Sequence, residues 1–310
     1  MTLLQLLMYL ALVVFIIGTV YKAIKITRMP VHLRWDLYPI PHEKGREHYG
    51  GSYYEEIDWW TKPAAVSIST ELREMAKEIF FIQSMFNNNR PLWIFSFPFH
   101  LGLYLSIVFV LLVYFGALLQ LLGIDVTASA GGPGKVVYAL TPVFGLAGAV
   151  LAAVGCFGLL LSRIFNKNLR LSSVRADYFN LLLLLAVFVT SIIAGATVDT
   201  TFAGMRGFIR NLISLQAAAP LPGIVVVHIV LSAIFLLWLP FTHMMHFVGK
   251  YFTYHRIRWE DHPNIQGGEL ERAITDALGY KINWSAPHIK KGATWAEAAM
   301  DNAPKEEDNK

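Results

Sequence analysis

Five runs without a single Asp, Glu, Lys or Arg constrain this chain more than any other feature: Leu3–Tyr21, Phe95–Gly123, Val136–Ser162, Phe179–Val198 and Ile224–Val248. A helix needs about 20 apolar residues to cross a bilayer core, where lipid offers the backbone no hydrogen-bond partner. Each run is long enough, and each predicts a transmembrane helix. The expected fold class is therefore an all-α membrane protein built as a five-transmembrane-helix bundle. Composition agrees: 55% of the 310 residues are hydrophobic and 15% charged, against about a quarter charged in soluble domains. The first run lacks a basic segment before it, and Tyr21-Lys-Ala-Ile-Lys25 is no small-residue cleavage site, so it reads as a retained helix.

The few charges cluster, and the clustering predicts an orientation. Arg163, Lys167, Arg170 and Arg175 follow the third run. Lys22, Lys25, Arg28 and Arg34 follow the first, and Lys250, Arg256 and Arg258 the fifth. The other two loops are poorer, with Asp125 and Lys135 in one and Asp199, Arg206 and Arg210 in the other. Because short cytoplasmic loops collect Lys and Arg, the N-terminus is expected outside and the C-terminus in the cytoplasm. The long segment between helices 1 and 2 is then also cytoplasmic. The expected organisation is 1–27 as transmembrane helix 1, 28–94 as a cytoplasmic loop and partner-docking segment, 95–250 as a four-helix domain, and 251–310 as a cytoplasmic tail. Within the loop, Met29–Pro41 is too rich in Pro for a continuous helix. Ser69–Phe86 has helical spacing and predicts a helix along the interface. The tail ends in a charged stretch, Lys305–Lys310, expected to fray.

Chemistry has few places to reside. The single Cys156 sits in an apolar run. It excludes a disulfide framework, a thiolate-held iron–sulfur cluster and covalently attached haem. No nucleotide-binding Gly loop or nucleophile motif is present, so no catalytic residue is assigned and the chain has no complete catalytic site of its own. Histidine is the remaining resource: of ten, His100, His228, His243 and His246 fall within the apolar runs. An ionisable group at membrane depth is costly and marks a functional site. His228 and His246 lie 18 residues apart, five full turns of a continuous helix, on one face and ~27 Å apart. His100 is expected at the depth of His246 on an antiparallel helix. Two facing imidazoles suit haem iron, and an apolar bundle excludes water from the macrocycle. His243, about 60° from His246 around a helix, is expected to face a haem propionate or a lipid headgroup, or to replace His246 as ligand. Ordinary helix packing or snorkelling is the bland alternative for each histidine. The small residues Gly145, Ala147, Gly148, Ala149, Ala152, Ala153 and Gly155 fit close approach to a macrocycle or to another helix equally well.

The run from Val225 through His228, Pro240 and Thr242 to His246 resembles the last helix of respiratory nitrate reductase gamma subunits. Phe99-His-Leu-Gly-Leu103 resembles that family's first haem-ligand motif. The stretch His32-Leu-Arg-Trp-Asp-Leu-Tyr-Pro39 favours the branch of cytochrome b subunits from sulfate-reducer membrane complexes, such as the M subunit of the Dsr complex or the C subunit of the Tmc complex. The resemblance covers about residues 92–250. It implies a membrane cytochrome b subunit that carries electrons between the menaquinone pool and a cytoplasmic iron–sulfur subunit like the heterodisulfide reductase catalytic subunit. A periplasmic multihaem cytochrome c is a further partner, and the setting is anaerobic respiration and sulfate reduction at the inner membrane. Two b haems are implied: an inner one on His100 and His246, and an outer one on His228. The family supplies a further histidine at the position of Val110, which this chain lacks. The outer haem is then five-coordinate, bound by Lys135 or a methionine such as Met205, or absent. Lys135 resembles the family's quinone-site lysine, with Asp199 and Arg206 as further candidates. A transporter or proton-conducting subunit, or a haem-free membrane anchor, is the alternative from another class. The spans hold no Asp or Glu for a relay.

Overall fold

The computed structural model describes residues 1–28, 43–46, 48–49, 51, 55–63, 65–255, 266–286 and 289–301. The Pro-rich stretch Met29–Pro41, the tail end Lys305–Lys310, and Arg34, Arg256 and Arg258 of the orientation argument lie outside them. The described residues are helical, apart from loops and three isolated bridge pairs. Five helices are long and apolar enough to cross a membrane: α1 (Leu3–Thr27), α4 (Arg90–Leu121), α5 (Gly132–Phe165), α7 (Arg175–Thr197) and the stretch Gly223–Phe241, whose regular part is α9 (Gly223–Trp238). Between α1 and α4 lie α2 (Ile68–Phe81) and α3 (Gln83–Asn88). A short α6 (Lys167–Leu171) precedes α7, and α8 (Ala203–Ile213) precedes α9. The chain divides into two units, Met1–Val20 with Met75–Met245 and Tyr21–Glu74 with His246–Lys310.

The first unit is held by helix pairs whose contact depends on small residues. A Cβ on Gly102 of α4 would stand 2.3 Å from Ala152 N of α5, and one on Gly155 would stand 2.4 Å from Phe99 N. The α4 and α5 backbones therefore touch, the usual solution where lipid provides no hydrophobic drive between helices. This assigns Gly148, Ala152 and Gly155 to helix packing, while Gly145 meets the rings of Phe109 and Phe202. α5 packs on α7, where Cys156 Sγ donates to Leu181 O at 3.1 Å, and α7 packs on α9, where Trp238 Nε1 donates to Asn180 Oδ1 at 2.7 Å. α4 and α9 share no such seam. Instead Phe109 and Val113 of α4 meet Ile229 and Ala233 of α9 through a core that includes Phe202, Phe208 and Leu212 beside α8, and Met8 and Ala11 of α1. α1 is tied in by polar contacts as well. The buried Gln5 donates to Gln216 O at 2.8 Å, and Tyr9 OH donates to Leu212 O.

Three elements differ from expectation. The single helix expected over Ser69–Phe86 is broken at Ile82, whose φ of 51° is left-handed. Trp93 Nε1 takes the Phe81 carbonyl at 2.8 Å, and Phe86 packs edge-on against Trp93, so the chain turns to lie over the start of α4. The loop expected around Arg206 is the helix α8. Its apolar residues recur at Met205, Phe208, Ile209 and Leu212, and Asp199 caps its first turn by accepting from Gly204 N at 3.0 Å and Met205 N at 2.9 Å. The fifth run is not one helix. Pro240 has no N–H to continue the ladder, so α9 passes into a 3₁₀ turn, Leu239–Phe241, and Thr242 is extended (φ −108°, ψ 168°). A second 3₁₀ turn, His243–Met245, and α10 (His246–Lys250) follow.

The second unit is less regular. Glu43 pairs with Val66 in an isolated bridge, and Glu56 pairs with both Arg46 and Lys62. Its C-terminal part contains α11 (Glu269–Leu278) and α12 (Trp295–Asp301), with Ile282, Ile289 and Ala298 as a small core. Thr294 and Glu297 form a reciprocal cap on α12: Thr294 N donates to Glu297 Oε2 at 2.8 Å, and Glu297 N to Thr294 Oγ1 at 3.2 Å.

Candidate functional site

His100 and His228 show the same local arrangement on different helices. His100 is half-buried on α4, with Nδ1 2.7 Å from Ser96 O one turn earlier. His228 is half-buried on α9, with Nδ1 3.1 Å from Val187 O on α7 and 3.3 Å from Thr190 Oγ1. A carbonyl oxygen can only accept, so each contact favours a proton on Nδ1 and, in the neutral ring, the lone pair on Nε2. That tautomer, oriented by a backbone carbonyl, is the one a histidine uses to ligate a metal through Nε2. Both rings are imidazoles in apolar surroundings, so the donor set fits haem iron.

His243 and His246 differ from this pair. His243 is 60% exposed and its Nε2 lies 3.4 Å from Asp177 Oδ1. The same carboxylate is 3.7 Å from Arg163 Nη1 and accepts from Val174 N at 2.9 Å at the start of α7. The Asp177 carboxylate thus stands beside His243. His246 is the exposed first residue of α10 and belongs to the second unit. The break at Pro240 removes the continuous helix on which the five-turn argument for His228 and His246 relied. Val110 is 47% exposed on α4.

The polar candidates separate into two kinds. Lys135 is exposed in the first turn of α5. Arg206, in contrast, is 1% exposed, and Asp199 is also buried. Gly116 on α4 admits the Arg206 side chain, since a Cβ there would be 2.7 Å from Arg206 Cδ. Burial pulls the Arg206 guanidinium below its ordinary range, and the charge of Asp199 pushes the other way. Sequence reasoning did not name Thr190, Asp177 or Gly116. The period of Met205, Phe208, Ile209 and Leu212 was the available signal for α8, and with it for the burial of Arg206.

The fold defines a class, the multi-pass helical membrane bundles, here with half-buried imidazoles on two of its helices. Within it the chain belongs to the nitrate reductase gamma subunit family, whose model matches residues 79–260. It is also similar to an Hdr-like menaquinol oxidoreductase cytochrome b-like subunit from Archaeoglobus fulgidus, with 25% identity over 271 residues covering 79% of this chain and 76% of the relative. No solved structure matches the chain. Family and helices together make this a multi-pass membrane protein.

Proposed function

We propose that this chain is the membrane cytochrome b subunit of a respiratory redox complex. It passes electrons between menaquinone and a cytoplasmic, heterodisulfide reductase-like iron–sulfur subunit, with a periplasmic multihaem cytochrome c as a further partner. The observation that carries the reading is the shared placement of His100 and His228, each with Nδ1 within hydrogen-bond distance of a backbone carbonyl. The family and the name of the archaeal relative support it. Haem b, when bound, supplies one-electron chemistry that no side chain of this protein offers. His100 is the first ligand, with His246 as its partner and His243 as the alternative, and His228 is the ligand proposed for a second haem. The setting is the cytoplasmic membrane, with the N-terminus outside. The quinone site draws on Lys135, Arg206 and Asp199.

Redox difference spectra with pyridine haemochrome quantitation test the reading. His100→Ala should abolish a b-type signal. A normal bis-histidine spectrum in His246→Ala would move the second ligand to His243. One haem per chain would remove the role of His228, and no haem at all would leave a membrane anchor. Lys135→Ala should slow reduction by a quinol analogue, and an unchanged rate removes Lys135 from the site.

A further inference from the structure

One face of α4 is covered by the chain that leads into it. Trp93, Phe97, His100 and Tyr104 recur at helical spacing and share a stripe along the helix. The end of α2 and the turn after it lie on that stripe. Tyr104 OH donates to Ile79 O at 2.6 Å, and its ring meets Phe80 edge-on. Trp93 Nε1 donates to Phe81 O at 2.8 Å, and Phe81 stacks on Phe97 with ring centroids 6.4 Å apart. The buried Glu78 turns back to accept from Ser84 N at 3.1 Å at the start of α3. The left-handed Ile82 ends α2 and leaves its last carbonyls without helical partners. Two of those carbonyls are taken by side chains of a spanning helix.

The depth of that contact points to what lies outside it. The charge-free run Phe95–Gly123 exceeds a bilayer core, and a core of about 20 residues centred on it begins near Phe99. A tyrosine on a helix leans towards the N-terminus. Its hydroxyl, and Ile79 with it, therefore stands near the His100 turn, at the boundary between core and headgroups. Both hydrogen bonds lie on the outer surface of the protein. In water such carbonyls need no protein donor; at the edge of lipid they do. Trp and Tyr are also the residue types that collect at that boundary. Ile79 and Phe80 are 41% and 54% exposed, an apolar surface beside a spanning helix. We propose that the end of α2 and the α2–α3 turn are seated in the membrane interface as the cover over the His100 face of α4, with Ile79 and Phe80 against lipid acyl chains. The occupant of this surface is the bilayer and not a partner subunit, whatever His100 ligates.

Nitroxide labels on single introduced cysteines test it in the purified chain in lipid nanodiscs. Collision with oxygen, which concentrates in lipid, is compared with collision with a water-soluble nickel chelate. Cys156 is buried and should stay unlabelled. Phe80→Cys should show the oxygen preference of Ile107→Cys, an exposed position within α4. Asn88→Cys, at the exposed end of α3, should show the nickel preference of a wet site. Ile79→Cys repeats the measurement where Phe80→Cys disturbs folding, which size-exclusion profiles report. Tyr104→Phe frees Ile79 O and should lower the ratio of immobilised to mobile Phe80→Cys label by about threefold, the loss of one hydrogen bond. Nickel preference at both α2 positions would overturn the proposal by placing the segment in water. Protection from both reagents would overturn it as well, because protein and not lipid would then cover the face. An unchanged label in Tyr104→Phe would overturn Tyr104 as the anchor.

Discussion

Asn180 and Trp238 show what a single polar contact is worth inside this bundle. Asn180 is 3% exposed, its Oδ1 accepts from Trp238 Nε1, and its Nδ2 has no acceptor among the described residues. Trp238→Phe keeps most of the ring but leaves Oδ1 unpaired as well, and should cost about 1–3 kcal/mol. Thermal unfolding in detergent measures it, and an unchanged midpoint would mean that Oδ1 finds another donor. Glu297 gives a residue-scale pH dependence. The Thr294 N–H, then its hydroxyl, hold the carboxyl below the usual range, and α12 gains from the ionised form. The contribution is present above the ordinary glutamate pKa and is lost as the pH falls through the depressed value. The protection of the α12 amides, taken relative to intrinsic exchange at each pH, should therefore fall in acid, and Glu297→Gln should remove that dependence.

Elements in this protein are positioned by the absence of side chains as much as by their presence. Gly155 brings α5 onto the α4 backbone beside Phe99, the residue before His100. Gly155→Ala places a Cβ within 2.4 Å of Phe99 N and should cost about 1–3 kcal/mol through overpacking. Because the strain falls next to His100, the b-type spectrum should shift along with the unfolding midpoint. A lower midpoint with an unmoved spectrum would uncouple the α4–α5 seam from the site. Pro240 works by removing a donor, and the extended Thr242 then redirects the chain. The residues from His243 onward therefore do not follow from α9 by helical arithmetic. Pro98 lies inside α4 without such a break, so a proline in an apolar run does not by itself reveal where a membrane helix ends.

At the scale of the whole molecule, the charge pattern makes a topological prediction. Asp125 lies in the loop before α5 and Asn168 in the short α6 after it. In right-side-out vesicles, cysteines introduced there should react with an impermeant maleimide from opposite faces, Asp125→Cys from outside. Cys156 is buried, so it should contribute no background. Labelling of both from one face would overturn the five-span arrangement. Five apolar helices were legible in the sequence, because apolar length and charge exclusion are local properties set by lipid, but the fifth stops at Phe241 and leaves His243 and His246 beyond it. The candidate site was legible in its histidines but not in its geometry. Which ring nitrogen faces a carbonyl depends on Ser96 O and Val187 O, the second contributed by another helix. α8 was hidden because its short apolar period lies among charges that read as loop. The sequence alone thus determined a charge-poor helical protein with five long apolar helices and with histidines in its apolar runs. Only the tertiary structure decided that α9 stops at Pro240, that Gly102 and Gly155 join α4 to α5, and that Arg206 is sealed between helices. Those outcomes depend on what packs against each residue, and such contacts are made between segments far apart in the chain.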